Sequence, residues 1–552
     1  MDKPMILYRG TLKSCNYRCS YCPFAKHPIG NRELQQDKAR WLQFVKDFPD
    51  LAQACFPVPA RALMVVPYGE ALIHPWYWEG LGALSSLPWM DAVGAQTNLS
   101  FSPETSLAIF RQAGGYVEKL RLWATFHPEM ITAEAFAASC RTLLAAGVTL
   151  CAGAVGDPRN LEKIRLLRQE LPKETYLWIN RMDGLDRDYT QTERDEFLDI
   201  DPYFGRELIS VPSEPARCGH RLFVEGNGQV RLCNITQAVG GRVWKPGSES
   251  DGLRLDRLCR RKRCSCYLAY GGRDDFMNRI LFGPYPLFRI PRRPKAVFLD
   301  IQGTLFPQST GVYPAKCGGV RLGEYNFQTP SDAASPAQAA EDFSTVPPMI
   351  RAGLEALHRE GIPLFFATTL PYGCAMARCR GIRHLFSGGI FSAGAYIRLE
   401  QGTEVKERVY HLDGTYPEQL EPLKKHFRFR ILPDRIGSRI CKITLLRPRH
   451  LPWSLPEAEE LAHALALPRD EAVRFFAEDC CLQIVPSGAS KEQGVRTLCQ
   501  WLGISPQEAA AAGDSGEDDG MMAVTGEFAF IGSVYNGESS LTATFSGVAD
   551  TS

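Results

Sequence analysis

The sequence predicts an α/β protein made of two successive units, each built around a mostly parallel sheet. Three observations lead there. Between residues 6 and 180, six short apolar runs alternate with helix-like stretches. A proline-rich break, FGPYPLFRIPRRP, follows at 282–294. A fresh apolar run, KAVFLD, then restarts the same alternation. Strand–helix repeats of this kind give parallel sheets, because a strand can return in the same direction only through a crossover.

Taken in order, strands are expected at Ile6–Leu12, Ala62–Val66, Ala92–Gln96, Leu120–Thr125, Val148–Val155 and Tyr176–Asn180. Between them, ETSLAIFRQAGG and AEAFAASCRTLLAAG repeat apolar residues at three and four, the period of a helix with one buried face. Ligands of such sheets gather at the carboxyl ends of the strands. CNYRCSYC (15–22), PYGEALIHP (67–75) and TNLS (97–100) follow the first three strands and so fall on that one edge. A cysteine-rich segment then runs from Cys218 to Cys266. Residues 307–345, rich in Gly, Ser, Pro and Ala, read as a mobile insertion. The expected boundaries are 1–210 for the first core, 211–285 for the cysteine-rich segment, 286–294 for a linker and 295–552 for the second unit, with a cap inserted at about 385–482.

The chain has 552 residues, 45% of them hydrophobic, and a formal charge of +1. That balance argues against nucleic acid or an anionic membrane as the main partner. No run approaches the roughly 18 apolar residues of a membrane span. MDKPMILYRG leads into the first cysteines without the apolar stretch of a secretion signal. Eighteen cysteines in such a chain point to a reducing compartment and metal ligation rather than disulfides, so a cytoplasmic protein is expected.

Cys15, Cys19 and Cys22 are spaced C-x3-C-x2-C. Three thiolates neither close a tetrahedral zinc site nor fill the four corners of a 4Fe–4S cube. Spacing alone leaves open a zinc site completed by a distant ligand, or scattered core cysteines. With Tyr21 before the last cysteine, the run resembles the signature of radical S-adenosylmethionine (SAM) enzymes. The resemblance implies a partial (β/α)6 barrel and a 4Fe–4S cluster held by Cys15, Cys19 and Cys22. It implies SAM on the open iron, a 5′-deoxyadenosyl radical as the reactive species, and a flavodoxin- or ferredoxin-type electron donor. PYGEALIHP resembles that family's Gly-Gly-Glu-Pro motif: Gly69 and Glu70 match and would bind the SAM amino group, while Tyr68 and Ala71 replace the first glycine and the proline. Thr97, Asn98 and Thr125 stand at strand ends where SAM or substrate would sit. AGAVG (152–156) could admit adenine against its backbone. His74 and His127 each precede a proline and read as turn residues.

CGHRLFVEGNGQVRLC places Cys218 and Cys233 on either side of a hairpin turning at Gly226–Asn227–Gly228. Cys259, Cys264 and Cys266 follow. The pattern resembles the SPASM and twitch extensions of radical SAM enzymes, which implies one auxiliary 4Fe–4S cluster on four of these five. A zinc ribbon is the alternative, since both sites use thiolates.

In the second unit, Asp300 ends the strand KAVFLD and Thr368 ends IPLFFATT. Lys491 stands in GASKEQG, and Asp514 and Asp518 in GDSGEDDG. This order resembles the motifs of haloacid dehalogenase-like (HAD) phosphotransferases, and SAGAYIRLEQGTEV points to the Cof-type subgroup. The resemblance implies a Rossmann-like core with an α+β cap, Asp300 as nucleophile, and Mg²⁺ on Asp300, Asp514 and Asp518. Thr368 and Lys491 would bind the phosphoryl oxygens. Those types suit the chemistry: a carboxylate can attack phosphorus, and hard oxygens suit Mg²⁺. Phosphatases of the family carry a second aspartate two residues after the nucleophile, as acid and base; this chain has Gln302, which delivers no proton.

The function expected from sequence is a radical SAM enzyme acting on a small phosphorylated substrate, whose HAD half binds or removes the phosphate. A ribosomal peptide substrate is the rival within the enzyme class. An iron–sulfur sensor with a phosphate-ligand-binding HAD half is the rival outside it.

Overall fold

Six strands in sequence order, β1 (Met5–Arg9), β2 (Ala62–Val65), β3 (Ala92–Thr97), β4 (Leu120–Phe126), β5 (Thr149–Val155) and β6 (Leu177–Asn180), pair in parallel with their chain neighbours in a computed structural model of the protein. The structure describes residues 3–22, 29–54, 58–209, 211–212, 221–231, 238–243, 263–264, 276–306, 346–412, 415–448, 451–465, 473–478 and 481–530. It divides into two units, Met1–Arg292 and Arg293–Ser552. Among the described residues, no helix is long and apolar enough to cross a membrane.

In the first unit, the helices between strands lie on one face of the sheet. They are α1 (Asn31–Ala54), α2 (Pro75–Ser85), α3 (Pro103–Gln112), α4 (Ala133–Ala145) and α5 (Leu161–Glu170). The alternation within strands explains this. Ile6 and Tyr8, Leu63 and Val65, Leu122 and Ala124, and Leu150 and Ala152 point into one core with Trp41, Phe48, Trp78, Phe110, Phe136 and Ile164 from the helices. A strand β7 (Arg221–Glu225) adds to the sheet parallel to β1, and β8 (Gln229–Arg231) and β9 (Ala238–Val243) extend it as antiparallel neighbours. The expected hairpin at Gly226–Asn227–Gly228 therefore continues the first sheet.

Three expectations for the first unit need correction. The first strand ends at Arg9 instead of Leu12, because Thr11 and Leu12 give their backbone N–H groups to the Asp37 carboxylate (2.7 and 3.3 Å) and leave the ladder. The first part of the 286–294 linker is packed: Leu287, Phe288 and Arg289 are buried in the first unit, and the boundary between the units falls only after Arg292. Tyr285 donates to Asp91 (2.8 Å), the Cys151 thiol donates to the Phe288 carbonyl (3.3 Å), and Arg289 pairs with Glu207 (2.9 Å) while its guanidinium lies 4.2 Å from the Trp178 ring centroid. Prolines shape this segment, but its aromatics are what bury it. The space beside Gly153, read as an approach for adenine, is filled: a Cβ there would lie 2.9 Å from the Trp178 ring.

In the second unit, a seven-stranded sheet runs β14-β13-β12-β11-β10-β19-β20. Its strands are β10 (Val297–Leu299), β11 (Leu364–Ala367), β12 (Gly388–Phe391), β13 (Tyr396–Gln401), β14 (Glu404–Val409), β19 (Ala510–Gly513) and β20 (Glu527–Phe530). The five from β12 to β20 are parallel, and β13 and β14 turn back antiparallel. A separate antiparallel sheet, β15-β16-β18-β17, comprises Arg430–Ile436, Arg439–Leu446, Cys481–Pro486 and Val473–Glu478 in that spatial order. It has its own core with Leu461 and Trp453. The inserted cap thus starts later than about 385, since Ile390, Ile397 and Leu399 point into the main core with Phe298 and Phe365. The 307–345 insertion lies outside the described residues.

Candidate functional site

The loop after β1 carries Cys15, Cys19 and Cys22, and residues from three following strand ends hold it. At its root, Asp37 of α1 accepts from Thr11 N and Oγ1 (2.7 and 3.0 Å), from Leu12 N and, through its other oxygen, from Tyr77 Oη (2.8 Å). After β2, Gly69 passes so close that an added Cβ would lie 1.7 Å from the Ser14 carbonyl oxygen, and Glu70 N donates to that oxygen (3.2 Å). After β3, Asn98 Nδ2 donates to Cys15 Sγ (3.6 Å) and to Asn16 Oδ1 (3.2 Å). After β4, Glu129 accepts from Ser20 N and Oγ (2.6 and 2.5 Å).

One pocket is lined by Cys15, Cys19, Cys22, Tyr68, Gly69, Glu70, Gln96, Thr97, Asn98, Thr125 and His127. All the residues predicted for the cluster and SAM from 15 to 125 therefore meet. Glu70 is buried, and burial raises its carboxyl to about 7. Three neutral donors oppose that rise: Thr97 Oγ1 (2.9 Å), Leu72 N (3.0 Å) and Asn98 N (2.5 Å). Glu70 therefore braces the strand ends, with little acceptor capacity left for a ligand. Burial also pushes the Cys19 thiol up to about 11 and raises Cys15, which Asn98 partly offsets. Thiolates form at such sites when a metal takes the proton's place.

The donor set fits an iron–sulfur cluster: three thiols on one short loop, facing polar strand ends, beside a glycine whose missing side chain lets two loops touch. Cys218, Cys233, Cys259 and Cys266 lie outside the described residues; the Cys264 backbone forms a two-residue bridge to Val211, and its side chain is likewise outside.

In the second unit, Asp300 follows β10, Thr368 follows β11, and Asp514 follows β19, so the three sit at the carboxyl ends of neighbouring parallel strands. Lys491 opens the helix Lys491–Leu502. Its buried ammonium donates to Asp300 Oδ1 (2.8 Å) and Asp518 Oδ1 (2.5 Å). Burial works against the lysine's charge, but the two carboxylates outweigh it and hold the group protonated. Burial raises the Asp300 carboxyl, against the attraction of Lys491. Asp518 Oδ2 accepts from Asp514 N, Ser515 N and Ser515 Oγ, each at 3.0 Å.

One carboxylate oxygen from each of Asp300, Asp514 and Asp518 lies within 4.8 Å of the others. That spacing fits an octahedral Mg²⁺ with ligands at about 2.1 Å. Asp518 already fixes Lys491 and the 514–515 turn. Gly303 (φ +78°) is required beside them: a Cβ would fall 1.7 Å from Asp514 Oδ2. Thr368 is buried and its Oγ1 accepts from Leu370 N (3.1 Å). Gln302 sits in the tight turn closed by Phe306 N donating to the Ile301 carbonyl (2.9 Å).

Sequence reasoning missed Asp37 and Glu129 and undervalued His127. Asp37 had a signal: it stands on the apolar stripe of α1, in step with Trp41, Phe44 and Phe48, where a lone carboxylate must serve buried donors. Glu129 had none beyond lying just past a strand end.

The family model for sucrose-6F-phosphate phosphohydrolase matches residues 454–541, a span that includes Lys491, Asp514 and Asp518. No curated protein matches the chain. Among solved structures, the chain is similar to a HAD subclass IIB sugar phosphatase, with 16% identity over 43% of this chain and 86% of that one, at a TM-score of 0.30. It is also similar to a haloacid dehalogenase-like hydrolase from Bacteroides thetaiotaomicron (17% identity, 42% and 86% covered, TM-score 0.30). A third is a haloacid dehalogenase-like hydrolase from B. subtilis (15% identity, 44% and 93% covered, TM-score 0.29).

Proposed function

We propose that the first unit is a radical SAM catalyst and the second a HAD-type, Mg²⁺-dependent phosphate-ester site, together acting on a small phosphorylated metabolite. The observation that carries the first half is the convergence of Cys15, Cys19 and Cys22 with Gly69, Glu70, Thr97, Asn98 and Thr125 in one pocket at the strand ends. Cys15, Cys19 and Cys22 would hold a 4Fe–4S cluster. With SAM bound, it would supply a 5′-deoxyadenosyl radical for hydrogen abstraction. The chain's own part is to fix that geometry: Asp37 anchors the loop's root, Gly69 lets the second strand's loop abut it, and Glu70 ties Thr97 and Asn98 in place.

In the second half, Asp300 would attack phosphorus and carry the phosphoryl group as an acyl phosphate. Lys491 would offset the oxygens' charge, and Asp300 and Asp514 would hold Mg²⁺. The match over 454–541 supports this reading. Gln302 sets its limit, because an amide neither protonates a leaving group nor activates water.

The first half is tested by anaerobic reconstitution. With dithionite and SAM the protein is expected to release 5′-deoxyadenosine, and Cys19→Ala to abolish the release by removing one of only three ligands. Release that persists in Cys19→Ala contradicts the reading.

A further inference from the structure

Asn98, just after β3, has every hydrogen-bonding group of its side chain engaged in the wall of the cysteine pocket. Its Nδ2 donates to Cys15 Sγ (3.6 Å) and to Asn16 Oδ1 (3.2 Å). Its Oδ1 accepts from Ser100 N (3.0 Å) and Ser100 Oγ (2.5 Å). Two donors and two acceptor sites are all that an amide side chain offers. Ser100 also settles which way the amide faces: a backbone N–H can be met only by the oxygen, and this turns the NH2 toward the sulfur. Ser100 Oγ further reaches Asn16 Oδ1 (3.1 Å), which ties the residue after Cys15 to the same turn. The backbone there is held as firmly. Asn98 N donates to Glu70 Oε2 (2.5 Å) and Leu99 N to Thr97 Oγ1 (3.1 Å), with buried Leu99 in the left-handed region at φ +57°. A second donor to the same sulfur is Tyr17 N, at 3.4 Å.

We propose that Asn98 tunes the cysteine site: its amide hydrogen-bonds the Cys15 sulfur and raises the reduction potential of the cluster held there, and Ser100 is the positioning residue that aims it. A hydrogen bond to a ligand sulfur favours the reduced cluster, whose charge is the more negative, and so raises its potential. Partners beyond the ligands commonly fix a ligand's orientation, which is the part Ser100 plays. The sequence placed Asn98 among the contacts of SAM or substrate. Its side chain serves the ligand cysteine instead, because the amide has no donor or acceptor left over. This deepens the cluster assignment made above and rests on it.

The test uses full-length, anaerobically reconstituted protein. Iron is counted, SAM affinity is measured by equilibrium dialysis, and the midpoint of the SAM-responsive 4Fe–4S signal is followed by electron paramagnetic resonance in a mediated redox titration. Asn98→Leu, close in volume but without a donor, is expected to keep the wild-type iron content and shift the midpoint to more negative potential. Asn98→Asp, which offers only acceptors and adds a negative charge, should shift it further the same way. Ser100→Ala should shift it by less, and the Asn98→Leu/Ser100→Ala pair no further than Asn98→Leu alone, because Ser100 acts through Asn98. An unchanged or raised midpoint in Asn98→Leu overturns the proposal while leaving the cluster assignment standing, and weaker SAM binding alongside it would move Asn98 to SAM. Should Asn98→Leu lose its iron, Ser100→Ala decides: a more negative midpoint supports the proposal and an unchanged one overturns it. A wild-type protein that takes up no iron at these cysteines overturns both the tuning and the cluster.

Discussion

The two sites solve the same problem, burying acidic groups at the ends of parallel strands, by different means. In the second unit the counter-charge is built in: Lys491 bridges Asp300 and Asp518. In the first, Glu70 has no charged hydrogen-bond partner among the described residues; an amide, a hydroxyl and a second amide hold it, and burial still raises its carboxyl to about 7. The aspartate site is thus organised before any ligand arrives. The cysteine loop depends on neutral hydrogen bonds and close contacts, and burial raises its Cys15 and Cys19 thiols, which a bound metal would hold as thiolates.

The contrast can be sharpened first at Gln302. If the second site is complete except for a proton carrier, Gln302→Asp should raise turnover of alkyl phosphates by up to ~10²–10⁴-fold, and of p-nitrophenyl phosphate much less. Steady-state kinetics on both substrates checks this. Brisk alkyl phosphate hydrolysis by the natural protein, unimproved by the change, would mean that another residue supplies the proton.

Removing the built-in charge comes next. Lys491→Met leaves two buried carboxylates unpaired and should cost the second unit about 3–5 kcal/mol, with part recovered in Mg²⁺. Chemical denaturation with and without the ion measures it. Gly69→Ala tests the contact-built site: a Cβ 1.7 Å from the Ser14 oxygen must displace the cysteine loop. A misplacement near 1 Å should lower 5′-deoxyadenosine release about 10²-fold in a protein that otherwise stays folded. The smallest effect is on pH. A carboxyl raised from 4.5 to about 7 in the fold favours folding when protonated, so Glu70 should cost the metal-free first unit stability as pH rises from about 4.5 to about 7. Glu70→Gln should flatten that part of the stability–pH curve, by no more than about 3 kcal/mol at 1.36 kcal/mol per unit.

What could be read from sequence follows from range. The parallel strands were legible because each is a local apolar run, and their ends fell within a residue or two except at Arg9. There the cause was Asp37, 26 residues away, which draws Thr11 off the ladder. The cysteines and Gly69–Glu70 were legible because their chemistry sits in short spacings. The contacts that join them, Glu70 to Thr97 and Asn98, Glu129 to Ser20, and Tyr21 to His127, span 27 to 109 residues and leave no local mark. The 286–289 stretch was misread because prolines signal a break in regular structure, whereas Phe288 and Arg289 find partners on four strands of the first sheet. The cap boundary was misread because β12 and β13 carry the same apolar alternation as cap strands would.

Metal analysis addresses the central claim most directly. Anaerobically reconstituted wild-type protein should hold about eight irons per chain, and the Cys15→Ala/Cys19→Ala/Cys22→Ala variant about four, the difference being one 4Fe–4S cluster at the first strand end. Zinc in place of iron, or an iron content unchanged by the triple substitution, would contradict the account.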